Sequence, residues 1–290
     1  MDHPIIAKRE VTQYILKRFG LHMNKKLGQN FLIDADVVEG IIDAAQINPD
    51  DTVLEIGPGI GTLTQGLLEA GAEVFAVEID KRLPSILQHT LEGYDNLHII
   101  NADILKIDIK ELIGNRPFKV AANLPYYITT PIIMSLLESA LPITKIVTMV
   151  QKEVAERMTA VPGSKIYGAL SVAVQYYSQP QICFNVPPHS FMPSPEVESS
   201  VIVCDVYDNR PVCPIDEKML FSVVKAAFGQ RRKTLNNSLS STGWAKEDIK
   251  RILLKSGIDE KRRGETLSLQ EFVTIADNFV KCKDLMPDNV

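Results

Sequence analysis

Short apolar runs alternate with stretches of helical spacing over the first 150 residues. The apolar runs predict buried strands at residues 52–56, 73–79, 97–101, 118–123 and 145–150. Apolar positions three and four apart predict helices at 36–45, 62–69, 81–89 and 131–140, the last opening with Thr130 as N-cap and Pro131 in its first turn. Strands that alternate with helices in this way predict a mostly parallel α/β sheet with helices on both faces.

The pattern changes after residue 175. Two further strands are predicted at 176–186 and 197–206, with a proline-rich loop between them. From about residue 215 the spacing is helical, which predicts helices at 216–228, 231–240, 246–255 and 268–280. We therefore predict an α/β domain over residues 1–208 and a small all-helical domain over 209–290.

Length and cysteine usage narrow the class of protein. A chain of 290 residues is long enough for one large and one small domain. None of its four cysteines forms a C-x-x-C pair, so we expect neither a disulfide framework nor a metal site. The N-terminus lacks the apolar core of a signal peptide, and no apolar run reaches the length of a membrane span. We expect a cytoplasmic protein without a membrane partner.

The net charge of -5 argues weakly against nucleic-acid binding, although such binding needs only a local basic patch. Two basic clusters are present. The N-terminal arm carries Lys8, Arg9, Lys17, Arg18, Lys25 and Lys26, and the C-terminal third carries Lys225, Arg231, Arg232, Lys233, Lys246, Lys250, Arg251, Lys255, Lys261, Arg262 and Arg263. Both clusters could instead be solvated helix faces. Arg231–Lys233 fall at a predicted helix start, where cations oppose the helix dipole. This electrostatic cost suggests that the three residues bind phosphates.

A glycine-rich turn, E-I-G-P-G-I-G at 55–61, joins the first predicted strand to a helix. Glycines at such a turn let the backbone approach a ligand closely, and Glu78 at the end of the next strand could accept hydrogen bonds from ribose hydroxyls. This much fits a nicotinamide dinucleotide as well as a nucleoside, but Gly57, Gly59 and Gly61 depart from the G-x-G-x-x-G spacing. The glycines could also serve only a tight turn.

Asp103 follows the third predicted strand in N-A-D-I-L, at the ligand-binding edge of such a sheet. Its carboxylate could accept a hydrogen bond from the exocyclic amine of adenine. The residues alone favour the alternative that Asp103 caps a helix.

The motif N-L-P-Y, Asn123 to Tyr126, ends the fourth strand and carries the most specific chemistry. The amine of adenine is a poor nucleophile because its lone pair is delocalised into the ring, and its nitrogen must shift toward tetrahedral geometry before it can attack a methyl sulfonium. Two acceptors aimed at the amine hydrogens would favour that shift: the Asn123 side-chain oxygen and the Leu124 carbonyl, which the turn at Pro125 exposes. Tyr126 offers a face on which an extruded base can stack.

Two further segments are candidates for the site. In G-Q-N-F-L-I-D at 28–34, Asn30 and the Leu32 backbone could close over a bound cofactor, or the segment could be a core anchor. Phe191 lies in the proline-rich loop, where an exposed aromatic would lose little entropy on stacking; packing in the core is the alternative.

These motifs together resemble the KsgA family of ribosomal RNA adenine dimethyltransferases, over about residues 25–279. In family order the chain has G-Q-N-F-L-I-D at 28–34, E-I-G-P-G at 55–59, V-E-I-D at 77–80, N-A-D at 101–103, N-L-P-Y at 123–126, V-Q-K-E-V at 150–154, Y-G-A-L-S-V at 167–172, F-M-P-S-P-E-V-E-S at 191–199 and Q-R-R-K-T-L at 230–235. The stretch before Lys25 is longer than the family needs.

The resemblance implies a class I S-adenosylmethionine-dependent methyltransferase fold, Rossmann-like with a seven-stranded sheet, and a helical RNA-binding domain at the C-terminus. It implies dimethylation of two adjacent adenines in a hairpin loop near the 3′ end of 16S rRNA, in the small ribosomal subunit. The family's cofactor residues would fall on Asn30, Leu32, Gly57, Glu78, Asp103 and Asn123. Asn123, Leu124, Pro125, Tyr126 and Phe191 would act on the substrate. Nothing in the chain demands more than a monomer.

Three other functions compete with this interpretation. A macrolide-resistance methyltransferase acting on large-subunit rRNA would usually have N-I-P-Y and lack Q-R-R-K-T-L. A mainly non-catalytic ribosome assembly factor would not need the intact N-L-P-Y motif. A nicotinamide oxidoreductase predicts no N-L-P-Y at all.

Overall fold

The computed structural model describes residues 3–22 and 28–283, and Lys25 and Lys26 of the N-terminal arm lie outside the described residues. The strands are β1 Phe31–Leu32, β2 Thr52–Ile56, β3 Glu73–Glu78, β4 Leu97–Asn101, β5 Phe118–Asn123, β6 Ile143–Gln151, β7 Ser178–Val186, β8 Phe191–Met192 and β9 Ser199–Val206. The helices are α1 Arg9–Arg18, α2 Ala35–Ala45, α3 Thr62–Glu69, α4 Pro84–Thr90, α5 Ile109–Ile113, α6 Thr129–Glu138, α7 Lys152–Thr159, α8 Ala169–Tyr177, α9 Glu217–Gly229, α10 Leu235–Ser238, α11 Lys246–Lys255 and α12 Leu269–Lys283.

A seven-stranded sheet with the order β4-β3-β2-β5-β6-β9-β7 forms the centre of the first compact unit. The five strands from β4 to β6 are parallel, whereas β9 runs antiparallel to β6. Every residue of β2 is buried, as expected for a central strand covered on both faces. The chain steps from β2 outward to β4 and then returns to β5, so the strand order reverses between β2 and β5. A ligand crevice is expected where the carboxyl ends of these two strands diverge.

The five strands predicted in the first 150 residues are confirmed, with boundaries within two residues. The helix predicted from Pro131 begins two residues earlier, at Thr129, with Ile128 at the N-cap. The strand predicted at 176–186 begins at Ser178, because the preceding apolar stretch forms α8. This stretch, A-L-S-V-A-V-Q-Y-Y, is apolar on nearly every side, and spacing alone does not separate a buried helix from a strand in such a run.

The predicted position of Arg231–Lys233 at a helix start is wrong. These residues lie in the turn that follows the C-terminal end of α9 at Gly229, and the next helix, α10, begins only at Leu235. Cations near a helix C-terminus are stabilised by the helix dipole, so the three charges carry no such local cost.

The second compact unit comprises residues 156–178 and the described residues from 207 onward. Helices α8 to α12 belong to it, and α9 packs against both α12 and α8. Tyr176 and Tyr177 contact Phe221 of α9, and both tyrosine hydroxyls donate to Glu217. The first unit therefore comprises the described residues up to Ala155 together with Gln179–Val206. The predicted division at 208/209 instead puts residues 156–178 in the first domain. A division at one point of the chain cannot show that α8 packs on α9, which comes later in the sequence.

No helix among residues 3–22 and 28–283 is long and apolar enough to cross a membrane.

Candidate active site

A cavity of about 210 Å³ opens in the first unit at the carboxyl ends of β2, β3 and β5. This is the edge at which the strand order reverses, where the topology predicts a ligand site. Every residue predicted for the site lines this one cavity: Asn30, Leu32, Gly57, Glu78, Asp103, Asn123, Leu124, Pro125, Tyr126 and Phe191.

The glycine-rich turn after β2 forms one wall. Gly57, Gly59 and Gly61 have φ values of +72°, +63° and +98°, in the left-handed region that favours glycine. A Cβ atom at Gly59 would lie 3.2 Å from the Phe31 ring, whereas one at Gly57 would meet no protein atom within 4 Å. Gly57 thus leaves open space on the cavity side, and Gly59 allows close packing behind it.

Glu78, at the end of β3, is held rigidly at the cavity wall. It is 4% exposed, its Oε1 accepts from the Asp80 amide at 2.8 Å, and its Oε2 accepts from the Gly59 amide at 3.2 Å. Burial raises the pKa of its carboxyl, and the two amides offset part of that effect. The carboxylate therefore joins the glycine turn to the end of β3.

Asp80 connects this wall to the segment before Asn30, a link that the sequence does not reveal. Its carboxylate pairs with the Arg82 guanidinium at 2.6 Å and accepts from Gln29 Nε2 at 2.9 Å. Arg82 in turn donates to the His22 carbonyl at 3.1 Å. The Arg82 hydrogen bond lowers the pKa of Asp80 to about 2, so this carboxylate is ionised at neutral pH and fixes the cavity-lining segment in place.

Asn123 ends β5 with its amide oriented for the predicted role. Its Nδ2 donates to the Asn30 carbonyl at 3.3 Å, which leaves Oδ1 as an acceptor. In the turn that follows, the Pro125 carbonyl accepts from the Ile128 amide and from Thr129 Oγ1. Among the described residues, no hydrogen bond to the Leu124 carbonyl is seen outside regular secondary structure. The turn therefore leaves one side-chain acceptor and one backbone acceptor next to each other in the chain.

The two predicted stacking aromatics differ in their environment. Tyr126 is half-buried, and its hydroxyl shares a 2.7 Å hydrogen bond with Ser199 Oγ, while burial raises its pKa. Phe191 is only 2% exposed and pairs with Leu32 where β8 runs antiparallel to β1. Of the two alternatives for Phe191, packing in the core is the one that the structure shows, because this short strand pairing brings the side chain into the core, where it also borders the cavity.

The alternative that Asp103 caps a helix is wrong, because a turn follows it and the next helix, α5, begins at Ile109 with Asp108 as its N-cap. Asp103 stabilises the turn instead: its Oδ1 accepts from the Leu105 amide at 3.1 Å, and Lys106 Nζ lies 3.3 Å from its Oδ2. Asp103 also borders the cavity, so a turn-stabilising role and a ligand contact are compatible.

Sequence reasoning missed several lining residues. Tyr127 borders the cavity with 60% of its surface exposed and is the accessible aromatic beside N-L-P-Y. Glu55 is 1% exposed, and its Oε2 has no hydrogen-bond partner among the described residues; the same is true of the buried Thr62 Oγ1. Buried polar atoms without partners at a cavity wall suggest that a ligand satisfies them. Its place as the first residue of the glycine-rich motif could have marked Glu55 as a site residue, but its burial depends on tertiary packing.

Glu55→Gln is expected to stabilise the protein at alkaline pH. Burial raises the pKa of Glu55 to about 8; Thr64 offsets part of the rise and the charge of Glu78 adds to it. The folded chain therefore holds this proton between the ordinary pKa of 4.5 and about pH 8, and stability falls as the pH rises through that window. Glutamine carries no charge, so thermal denaturation at pH 8 should show a melting temperature at least ~2–4 °C above wild type, the shift that about 1 kcal/mol produces in a domain of ~150–250 residues.

The gap should narrow toward pH 5, because the unfolded wild-type chain then also begins to take up this proton and folding no longer carries the cost of binding it. Glu39→Gln, on the exposed face of α2, is the matched control and should show no gap at any pH. Equal melting temperatures for Glu55→Gln and wild type at pH 8 would contradict the prediction.

The profile of the ribosomal RNA adenine dimethylase family matches residues 20–281 of the chain. The ribosomal RNA small subunit methyltransferase A of Clostridioides difficile is 48% identical over 283 residues, covering 96% of this chain and 98% of that protein. The protein of the same name from Lachnoclostridium phytofermentans is 54% identical over 274 residues, covering 92% and 94% of the two chains.

Two solved structures are also similar. A dimethyladenosine transferase from Plasmodium falciparum superposes with a TM-score of 0.75 at 27% identity, covering 87% of this chain and 98% of that one. The 23S rRNA methyltransferase ErmE superposes with a TM-score of 0.68 at 24% identity, covering 86% and 98%, a likeness of fold alone. The predicted class I methyltransferase fold is thereby confirmed. The chain therefore belongs to the ribosomal RNA adenine dimethylase family and is an S-adenosylmethionine-dependent methyltransferase.

Proposed function

We propose that this enzyme methylates the exocyclic amines of two adjacent adenines in a hairpin loop near the 3′ end of 16S rRNA, giving dimethyladenosines during assembly of the small ribosomal subunit. It acts as a monomer in the cytoplasm. The observation that carries the proposal is the pair of acceptors at Asn123 and Leu124, next to a glycine turn and an acidic strand end in one cavity. The names of the bacterial relatives support the choice of the small subunit.

The residues of the cavity fit S-adenosylmethionine. Glu78 presents a fixed carboxylate suited to ribose hydroxyls, and Gly57 leaves free space where a side chain would intrude. The unpartnered Glu55 Oε2 and Thr62 Oγ1 supply a buried carboxyl oxygen and a buried hydroxyl for polar groups of the ligand. When bound, the cofactor supplies an electrophilic methyl group on a positively charged sulfur.

Asn123 and Leu124 activate the target amine by electrostatic preorganisation. The Asn123 Oδ1 and the Leu124 carbonyl accept the two amine hydrogens, which draws the nitrogen lone pair out of conjugation with the ring. The Asn30 carbonyl fixes the orientation of the Asn123 side-chain amide by accepting from its Nδ2. A flip of the amide that exchanged Oδ1 and Nδ2 would break this hydrogen bond. Both acceptors also stabilise the positive charge that develops on the nitrogen, and the charged amine then loses a proton readily.

Aromatic side chains position the extruded base. Tyr126 is fixed by its hydrogen bond to Ser199, and Phe191 borders the cavity from the wall formed by β1 and β8. Stacking of one base on an aromatic ring contributes ~1–3 kcal/mol. The exposed ring of Tyr127 at the same cavity offers a further surface for an incoming nucleotide.

The deciding experiment is transfer of radiolabelled methyl from S-adenosylmethionine to small subunits purified from an unmethylated strain, with large subunits in parallel. We expect label in the small subunit, found as dimethyladenosine near the 3′ end of its rRNA. Label only in the large subunit would assign the enzyme to the macrolide-resistance type. No label despite tight cofactor binding would favour a mainly non-catalytic assembly factor.

We further propose that the C-terminal helical region over 209–290 binds RNA phosphates. Among the described residues Arg232 and Lys233 have no carboxylate partner, whereas Arg231 donates to the Lys165 carbonyl and lies 3.9 Å from Glu265. Arg231 therefore has a structural role as well, and Arg232 and Lys233 are the sharper test.

Arg232→Glu combined with Lys233→Glu is expected to weaken binding to small-subunit rRNA and to reduce its salt dependence, by a slope of ~0.7–0.9 for each phosphate that is no longer neutralised. Filter binding across a salt series measures both quantities. Lys218→Glu, an exposed charge reversal at the start of α9, is the control and should bind as wild type does. An unaltered affinity and slope in the double variant would show that Arg232 and Lys233 are only solvated.

A further inference from the structure

The N-terminal segment is anchored firmly on the first unit. Ile6, Ala7 and Ile15 are buried in the same core cluster as the central strands. The Ile6 amide donates to Gln65 Oε1 at 2.8 Å, and Gln65 Nε2 donates to the Pro4 carbonyl at 3.2 Å. Helix α1 is therefore a fixed part of the fold, and the side chains on its outer face have defined positions.

The outer surface of this segment carries a group of exposed cations. Lys8, Arg9, Lys17 and Arg18 are all exposed, and among the described residues none of them pairs with a carboxylate. The other described cations of the first unit behave differently. Of these other cations, two form no ion pair within the described part of the unit, Lys81 and Lys110, and six do: Arg82, Lys106, Arg116, Lys119, Lys145 and Lys152.

Two of these cations oppose the dipole of their own helix. Lys8 is the N-cap of α1 and Arg9 is its first residue, and no side chain caps this end among the residues that the structure describes. A cation at a helix N-terminus costs ~0.3–1 kcal/mol, which Glu10 in the first turn offsets only in part. The fold does not explain this placement, whereas a negatively charged partner would.

Exposed aromatic rings lie among the cations. Tyr14 is 58% and Phe19 is 36% exposed, and the Arg18 guanidinium lies 5.9 Å from the centre of each ring and donates to the Tyr14 hydroxyl. Cations interleaved with rings are suited to a nucleic-acid strand, whose phosphates and bases contact the two kinds of group. An acidic protein surface would use the cations but gain less from the rings.

The same surface adjoins the wall of the active-site cavity. Phe19 contacts the His89 ring of α4 edge-on, and the His22 carbonyl accepts from Arg82, which pairs with Asp80 two residues beyond Glu78. The chain at the C-terminal end of α1 is therefore tied through Arg82 and Asp80 to the end of β3, which carries Glu78 at the cavity wall.

We propose that Lys8, Arg9, Lys17 and Arg18, with Tyr14 and Phe19, form a second RNA-binding surface, called here the α1 surface, which holds the RNA flanking the methylated loop. The proposal rests on the proposed function. It adds an RNA-binding element at the opposite end of the chain from the helical region, in a helix that precedes the range matched by the family profile.

The test replaces all four cations with glutamine, which keeps helix propensity and avoids placing new acids at the helix ends. Binding to purified small subunits and to the isolated 3′-terminal rRNA hairpin is measured across a salt series, with cofactor affinity by calorimetry. We expect RNA affinity near 0.1 M salt to fall tenfold to about a thousandfold, with a salt slope that is shallower by ~0.7–0.9 for each phosphate that is no longer neutralised. Cofactor affinity should stay at the wild-type value.

Lys17→Gln and Lys110→Gln form the matched pair, since each removes one exposed, unpaired lysine from the described part of the same unit. RNA binding should weaken in Lys17→Gln and not in Lys110→Gln. The proposal is overturned if the four-residue variant binds RNA as wild type does, or if the two single variants lose affinity equally. Failure of the proposed function would look different, because the wild-type protein would then neither bind nor methylate the small subunit or the isolated hairpin.

Discussion

Asn123→Ala is expected to lower the rate of methyl transfer by about 10²–10³-fold, the effect that loss of one preorganised group at a developing charge has in other enzymes. The variant removes Oδ1, which accepts an amine hydrogen, and retains the Leu124 carbonyl. Cofactor affinity should fall only modestly, because Glu78 and the glycine turn are unchanged. Single-turnover methyl transfer and calorimetry with S-adenosylmethionine separate the two effects.

Asn96→Ala is the control for this variant. Asn96 is also a partly buried amide that donates to a backbone carbonyl, that of Ala72 at 2.7 Å, but it precedes β4 at the opposite edge of the sheet. Its loss should affect stability and leave the rate of methyl transfer unchanged. If Asn123→Ala and Asn96→Ala retain equal activity, Asn123 does not act as an acceptor.

The strands of the sheet could be predicted because each is a short apolar run bounded by turn residues. The residues T-V-L-E-I of β2 and L-H-I-I-N of β4 have in the structure the bounds that the pattern predicts. Parallel strands end at one edge of a sheet, so the residues after β2, β3, β4 and β5 were expected together, and they do line one cavity. The pattern failed where it was weak: α1 carries few apolar residues, and α8 is apolar on almost all sides.

Interactions between residues distant in sequence could not be predicted. The link between Asp80 and Gln29 joins residues 51 positions apart, and no local pattern indicates that Gln29 lies beside the residues that follow β3. The burial of Phe191 depends on a strand of two residues, too short to show alternation. Glu55 looks like an ordinary acidic residue in a motif, and only the packed structure shows that it is buried with an oxygen that has no partner among the described residues.

Helix ends show how one electrostatic argument depends on boundaries. A helix start predicted at Arg231 would place three cations against the helix dipole, but the next helix begins only at Leu235, so that cost is absent. At Lys8 and Arg9 a helix does begin, so these two cations carry the cost. An error of four residues in a helix start thus changes which cluster requires a functional explanation.

Glu78→Ala is expected to weaken S-adenosylmethionine binding by ~1.5–3 kcal/mol, the contribution of a hydrogen bond to a charged group, which is roughly a 10–150-fold loss of affinity. The substitution also frees the amides of Gly59 and Asp80, so the glycine turn loses its tie to β3. The lost hydrogen bond to the cofactor and the loosened glycine turn both lower the affinity for S-adenosylmethionine. Calorimetric titration measures the affinity, and thermal denaturation reports any loss of stability.

The control for Glu78→Ala is at the other end of the same strand. Glu73 begins β3, pairs with Arg116 and lies far from the carboxyl-end edge that carries the cavity. Glu73→Ala should lose this half-exposed ion pair and keep full cofactor affinity. A Glu78→Ala protein that binds S-adenosylmethionine as tightly as Glu73→Ala would remove Glu78 from the cofactor site. The glycine turn would then have to hold the ligand without the carboxylate that fixes it.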